Sequence, residues 1–148
     1  MESSPSGNLN YRTEHGILVV TITEAKIQGE DIADTLRREM LAILDSSGAT
    51  RIVIDFQHAQ YISSAAFRPL LAVHRKLQNR GGRIVLCGLS PAVGDIFYTT
   101  RMTGPTGSIT RMTGESGTIT PLFDTAKDAE EAVSRLRSAE QASAPGPG

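Results

Sequence analysis

The feature that most constrains the fold is a buried-strand pattern that runs into a helical pattern between residues 51 and 79. The strand part, Arg51–Phe56, contains three consecutive β-branched residues, which is typical of a strand buried on both faces. Further along, two serines precede residues at helical spacing, which are Phe67, Leu70, Leu71, His74 and Leu77. Serine is a favoured helix N-cap because its oxygen accepts a hydrogen bond from a free amide of the first turn. The sequence therefore predicts a helix that begins at Ser63-Ser64.

The remaining chain alternates strands with helices. We expect an N-terminal hairpin, made of residues 11–15 and Ile17–Thr23 and joined by a tight connection at His15-Gly16. A helix opens at Gly29-Glu30-Asp31, where the acidic residues suit the positive end of the helix dipole, and it ends at Gly48. A second buried strand is expected at residues 83–87.

The last third of the chain adds two more helices and a short strand. Ser90-Pro91 is typical of an N-cap followed by the first helical residue. A final strand is expected at residues 121–124, and a final helix at residues 126–140, capped by Asp124 or Thr125. Strands that alternate with helices require parallel pairing and right-handed crossovers. The sequence thus predicts one α/β domain with a mixed β-sheet, an antiparallel edge and about four helices packed against the sheet.

Composition excludes several classes of protein. The 148 residues suffice for one domain with a sizeable core. A net charge of −1 and a pI near 6.3 argue against a surface for direct nucleic-acid binding. No apolar run approaches the roughly 20 residues that a membrane span needs, and the N-terminus lacks a secretory signal pattern. A single cysteine, Cys87, cannot form an internal disulfide. We therefore expect a cytoplasmic protein.

The domain boundaries follow from composition. Residues 1–8 are rich in Ser, Pro and Gly and are predicted to be disordered. The folded domain is predicted at residues 9–140, and a disordered tail at 141–148. Residues 101–120 form a tandem duplication in which three of ten positions differ between the copies. We interpret the duplication as an insertion that lengthens one loop, because its period is too short for a solenoid.

The paired serines are the main candidates for chemistry. From the residues alone, Ser63 and Ser64 can be a helix cap or a reactive site. A serine nucleophile is disfavoured because the Gly-x-Ser-x-Gly elbow is absent and no base is placed by sequence to activate either hydroxyl. His58 and His74 have no second ligand at metal-binding spacing. The sequence therefore predicts no enzyme, no catalytic residues, no metal and no cofactor.

Three segments resemble the STAS domain family, the anti-sigma-factor antagonists of bacteria. Its core motif is an apolar strand ending in Asp, a linker, and then aromatic-apolar-Asp-Ser-Ser/Thr-Gly-Leu. The corresponding residues here are Val53–Phe56 and Tyr61–Phe67. The second segment is Gly81–Leu89, and the third is Leu122–Thr125, which leads into Glu130-Glu131-Ala132. The resemblance covers roughly residues 10–138.

The resemblance implies a switch between partners. In the family, the serine after the motif Asp is phosphorylated by a partner that is both an anti-sigma factor and a serine kinase. That serine corresponds to Ser64. The unphosphorylated antagonist binds the anti-sigma factor and frees the sigma factor, a phosphate prevents binding, and a phosphatase restores it. The partner surface implied for this chain consists of Ser63, Ser64, Ala66, Phe67, Arg68 and Asp95.

Positions 63 and 66 are among those that differ from the family pattern. Ser63 stands where the motif has Asp, and Ala66 stands where it has Gly. The first change removes a carboxylate beside the acceptor hydroxyl. An alternative function therefore stays open, in which the chain is a STAS adaptor or scaffold subunit of a sensory complex or membrane transport system that works without phosphorylation.

Overall fold

The computed structural model describes residues 2–99, 111–112, 119–120 and 124–143. The strands among these residues are β1 (Glu2–Ser3), β2 (Leu9–Glu14), β3 (Ile17–Ile22), β4 (Lys26–Ile27), β5 (Arg51–Asp55), β6 (Tyr61–Ile62), β7 (Arg83–Cys87), β8 (Arg111–Met112), β9 (Ile119–Thr120) and β10 (Asp124–Ala126). The helices are α1 (Glu30–Ser47), α2 (Phe67–Asn79), α3 (Pro91–Thr99) and α4 (Ala129–Ser143), and a single 3₁₀ turn covers Ser64–Ala66.

Six strands form the main sheet, in the order β1-β2-β3-β5-β7-β10. The pairs β1/β2 and β2/β3 are antiparallel, whereas β3/β5, β5/β7 and β7/β10 are parallel. His15 and Gly16 join β2 to β3, and both have positive φ, at 53° and 77°, as a two-residue type I′ turn requires. The predicted mixed sheet with an antiparallel edge is confirmed.

Helices cover both faces of this sheet. Leu18, Ile52, Ile54 and Leu86 of the sheet pack on one face in a core that includes Leu36, Met40 and Leu44 of α1 and Leu70, Val73 and Leu77 of α2. The opposite face uses alternate strand residues and α4, namely Ile17, Val19, Val53, Val85, Ala132, Val133 and Leu136. Because side chains alternate along a strand, the consecutive apolar residues Ile52, Val53 and Ile54 of β5 serve both cores. The prediction of a strand buried on both faces is therefore confirmed.

The N-terminal segment differs from the disorder predicted for residues 1–8. β1 adds an outer strand beside β2, and Ser4 is buried, with its amide donating to the carbonyl of Leu9 at 2.8 Å. The amide of Ser6 donates to a carboxylate oxygen of Glu39 at 2.9 Å. These partners are distant in sequence or arise only after the sheet has formed. Composition alone therefore does not reveal them.

The last helix begins three residues later than predicted. β10 extends through Ala126 because it pairs in parallel with the end of β7. Asp128 then caps α4, and its carboxylate accepts a hydrogen bond from the amide of Glu131 at 2.9 Å. The predicted caps Asp124 and Thr125 are wrong, because both residues belong to the sheet.

Part of the duplicated segment and of the tail is described. β8 pairs with β9 in an antiparallel ladder, which joins the two ends of the second copy of the repeat. The other residues of the predicted insertion at 101–120 lie outside the described residues. The same holds for residues 121–123 of the predicted last strand and for 144–148 of the predicted tail, while residues 141–143 belong to α4.

Candidate interaction site at the serine turn

The segment before the two serines is held by a short ladder outside the main sheet. β4 pairs in parallel with β6 as a separate two-stranded sheet. The carbonyl of Ala25 accepts hydrogen bonds from the amides of Gln60 and Tyr61, and the carbonyl of Ile27 accepts one from Ser63 at 2.9 Å. These bonds fix the backbone that enters residues 63–66, which we call the serine turn.

The serine turn does not cap α2 as predicted. A 3₁₀ turn that begins at Ser64 precedes the helix, and the amide of Ala66 donates to the carbonyl of Ser63 at 3.0 Å. Ala66 is the N-cap residue of α2, and neither cap position uses a side-chain hydrogen bond. Pro69, the third residue of α2, has no amide that needs a partner. The predicted serine cap is therefore wrong. Backbone hydrogen bonds satisfy the start of the turn, and the proline removes one of the amides that a cap would bind.

Three of the predicted partner-binding residues are accessible. Ser64 is exposed at the start of the 3₁₀ turn, and Asp95 is exposed on α3. Arg68 is exposed in the first turn of α2, where its Nη2 lies 3.2 Å from Oε1 of Glu30. Ser64 and Arg68 thus both lie on the molecular surface.

Two other predicted residues are buried. Ala66 is 3% exposed and Phe67 is 7% exposed, and both belong to the core between the sheet, α1 and α2. An apolar residue that is packed in this way presents almost no area to a partner. Their contribution to an interface is therefore indirect, since they hold the serine turn against the core.

Ser63 has an unusual environment. Its hydroxyl oxygen is buried and makes no hydrogen bond within the part of the chain that the structure describes. A buried hydroxyl without a partner destabilises a fold, and such groups call for an explanation. Ser63 occupies the position where the motif has an aspartate. The Ser63 hydroxyl is thus a polar group on the residue before Ser64 that forms no hydrogen bond with the backbone of the turn.

Sequence reasoning included Tyr61 only in the family motif and not in the partner surface. Tyr61 is 46% exposed and is the large hydrophobic side chain that stands out on the surface of the described residues. The signal was present in the sequence, because Tyr61 and Ile62 alternate between solvent and core as strand residues do. Aromatic residues are enriched at protein interfaces. Tyr61 lies three residues before Ser64 and extends the candidate surface.

A second polar region lies at the carboxyl end of β5. The carboxylate of Asp55 accepts hydrogen bonds from the amide of Gln57 at 2.9 Å and from its side-chain nitrogen at 3.0 Å. Burial, and then the charge of Asp55, raises the pKa of the Cys87 thiol far above its ordinary value. A thiol with a raised pKa stays protonated and is a poor nucleophile. Cys87 is therefore a core residue.

Among the residues that the structure describes, no group of three or more His, Cys, Asp or Glu side chains is arranged to hold a metal ion. No helix within the same ranges is both long enough and apolar enough to cross a membrane.

Comparison with known proteins relates this chain to a protein family. The family model described as the STAS domain matches residues 8–129. A Bordetella bronchiseptica protein, BtrV, whose name describes it as an anti-sigma factor antagonist, is 40% identical over 65 residues, which are 44% of this chain and 55% of that protein. The match thus spans about half of that relative's length.

Solved structures share the fold at low sequence identity. The structure of Moorella thermoacetica RsbS has a TM-score of 0.65 at 19% identity, covering 90% of this chain and 97% of that one. The phosphorylated form of SpoIIAA from Bacillus has a TM-score of 0.57 at 18% identity, covering 87% and 99%. These likenesses concern the fold. Since the family model matches most of the sequence, the chain belongs to the STAS domain family.

Proposed function

We propose that this protein is an anti-sigma-factor antagonist, which binds an anti-sigma factor with serine kinase activity and is switched off by phosphorylation of Ser64. The observation that carries the proposal is the exposure of Ser64 on a 3₁₀ turn directly before α2. The name of BtrV as an anti-sigma factor antagonist supports the same class of partner. A phosphatase would reverse the modification, and the exchange would take place in the cytoplasm.

The position of Ser64 suits a reversible switch for a physical reason. A phosphate adds about 1.5 to 2 negative charges at neutral pH. The fold tolerates this charge near the N-terminus of a helix, where free amides and the helix dipole favour anions. The same charge at the centre of an interface would have to lose its hydration. The modified domain therefore stays folded while its complex is weakened.

The candidate interface combines different surface groups around this hydroxyl. Tyr61 offers an exposed aromatic ring, and Arg68 offers a guanidinium group. Aromatic residues and arginine are the side chains that most often dominate binding energy. Asp95 on α3 is exposed as well. We propose that the anti-sigma factor covers this surface with Ser64 near its middle.

The first test of the proposal is intact-mass spectrometry of the full chain purified from its own cells. We expect a fraction with the mass of one added phosphate, which disappears in Ser64→Ala. The matched control is Ser134→Ala, which removes an exposed serine from α4 on the opposite face of the sheet. Loss of the phosphate in Ser134→Ala, with retention in Ser64→Ala, would place the modification elsewhere and contradict the proposal.

The second test measures antagonism in cells with a reporter gene that depends on the released sigma factor. Ser64→Ala should keep the reporter active, and Ser64→Glu should silence it. Ser134→Glu adds the same charge on the other face and should leave the reporter active. Equal silencing by both glutamate variants would indicate a nonspecific effect of charge or folding.

The adaptor function is the second candidate, and Ser63 is the observation that favours it. A hydroxyl replaces the carboxylate of the family motif beside Ser64, so a kinase that requires the acidic residue would not recognise the turn. Absence of phosphate under every growth condition, together with a reporter that ignores Ser64→Glu, would favour a STAS adaptor or scaffold subunit of a sensory complex or membrane transport system.

A further inference from the structure

An ion pair links the first turn of α2 to the start of α1. Nη2 of Arg68 lies 3.2 Å from Oε1 of Glu30, and the two side chains are 63% and 79% exposed. Arg68 belongs to the first turn of α2, and Glu30 is the first residue of α1. An ion pair this exposed contributes little stability, because water screens both charges. Its partners can therefore separate at low cost.

Ser64 and Arg68 are close together in the chain at the start of α2. The 3₁₀ turn at Ser64–Ala66 continues directly into α2, so the backbone is helical from Ser64 through Arg68. At a rise of roughly 1.5–2 Å per residue, four residues separate the two positions by about 6–8 Å along the axis, which a long arginine side chain and a phosphoserine can span together. Both Ser64 and Arg68 are exposed. A phosphate on Ser64 would consequently lie within reach of the Arg68 guanidinium.

We propose that phosphorylation of Ser64 exchanges the ionic partner of Arg68, so that the guanidinium leaves the Glu30 carboxylate and binds the phosphate. This inference rests on the proposed function. The exchange itself breaks no covalent bond. Arginine suits the role because its planar fork pairs with two phosphate oxygens at once. Arg68 is therefore a positioning residue for the phosphate.

The charges around the turn favour the exchange. A phosphate dianion carries up to twice the charge of a carboxylate and has three acceptor oxygens. Glu30 and Asp31 form the acidic first turn of α1, and Lys26 is an exposed cation on β4. Because α1 contacts the serine turn, the carboxylates of α1 repel the phosphate, and Arg68 screens that repulsion. Glu30 is well exposed, so water solvates its carboxylate once Arg68 has left.

The exchange changes the surface beyond the added phosphate. Before modification, Arg68 can donate to a partner, and Glu30 is neutralised by its ion pair. After modification, the guanidinium group of Arg68 pairs with the phosphate, and Glu30 presents an unpaired carboxylate. A partner that uses Arg68 as an anchor loses that anchor at the same moment as it meets the phosphate. One modification thereby alters two elements of the interface.

The test uses the full chain with phosphoserine installed at position 64 by genetically encoded incorporation. Titration followed by ³¹P NMR gives the second pKa of the phosphate, which is about 6 without nearby charges. We expect Arg68→Gln to raise this pKa by roughly half a unit, the size typical of an exposed ion pair. Arg68→Lys should restore part of the shift, since it returns the charge without the planar fork.

Arg75→Gln is the matched control, because Arg75 is exposed on the same helix but two turns further along. It should leave the phosphate pKa unchanged. In ¹⁵N-labelled protein, the side-chain Nε–H signal of Arg68 should move on phosphorylation, and that of Arg75 should stay. Circular dichroism verifies that each variant is folded.

Identical phosphate titrations in the wild type and Arg68→Gln would overturn the inference, as would an equal effect of Arg75→Gln. Because the phosphoserine is installed directly, these outcomes do not depend on a kinase. Absence of phosphate in the cell would instead contradict the proposed function and leave the measured ion-pair exchange intact. The two failures are therefore distinguishable.

Discussion

At Gly88, the loop that follows β7 passes close to Asp55 at the carboxyl end of β5. Gly88 has φ +69°, and a Cβ atom built on it would lie 2.5 Å from a carboxylate oxygen of Asp55 and 2.9 Å from the amide nitrogen of Gln57. A side chain at this position would meet both an unfavourable conformation and occupied space. This contact lets the loop cross directly over a buried carboxylate.

We predict that Gly88→Ala lowers the free energy of unfolding by about 3 kcal/mol, since the left-handed conformation costs an L-residue roughly 1–2 kcal/mol and overpacking adds a similar amount. Gly48→Ala is the control. It has φ +66°, and no atom of the described residues lies within 4 Å of the built Cβ, so only the conformational cost of about 1 kcal/mol applies. Urea unfolding measures both, and equal losses would show that the close approach to Asp55 is unimportant.

At the scale of elements, charged side chains join the end of α1 to the end of α2. Asp45 on α1 forms ion pairs with Lys76 and Arg80, and a guanidinium nitrogen of Arg80 donates to the carbonyl of Ala49 at 3.3 Å. The hydrogen bond from Lys76, with smaller effects from its charge and from Arg80, holds the pKa of Asp45 below its ordinary value. Ionised Asp45 thus favours the folded state.

This lowered pKa predicts how stability depends on pH. A depressed carboxylate pKa stabilises the fold above the unfolded value of 3.8 and loses that contribution as the pH falls through the folded pKa. The wild type should therefore melt at a higher temperature than Asp45→Asn at neutral pH, and the gap should close in acid. Asp34→Asn, also on α1, is the control and should melt like the wild type. A gap that is independent of pH would contradict the assignment.

The starts of two helices show what sequence could and could not predict. Ser90 caps α3 as expected, because its hydroxyl accepts from the amide of Val93 at 3.2 Å and this bond is local. The same reasoning was wrong for Ser63 and Ser64. Their turn is fixed by the carbonyl of Ile27, which lies 36 residues earlier than Ser63 in the chain. Local sequence patterns thus predict a helix cap only where no hydrogen bond from a distant strand determines the backbone conformation before the helix.

At the scale of the whole molecule, two cores share one sheet. Residues of β5 alternate between them, with Val53 packed on the α4 side and Ile54 packed on the α1 and α2 side. The sequence predicted this sheet from its apolar runs. It did not predict β1 and β4, because two-residue strands have no periodicity and exist through their partners. The shared sheet couples the two cores to one another.

We therefore predict that the domain unfolds as one unit. Leu136→Ala on the α4 face and Leu44→Ala on the α1 face should each lower stability by about 2–5 kcal/mol. In each variant, far-UV circular dichroism and tyrosine fluorescence should give coincident transitions. Separate transitions in Leu136→Ala would show that α4 detaches on its own, and would contradict the coupling.

The two-stranded ladder of β4 and β6 has a consequence for evolvability. It carries the serine turn without belonging to the six-stranded sheet, so the outward-facing residues of this region make few demands on folding. Substitutions there change what the surface recognises while the main sheet stays as it is. A gene for such a domain can be copied and its product redirected to a new partner by a handful of changes. Tyr61, exposed on β6, stands in this adaptable region.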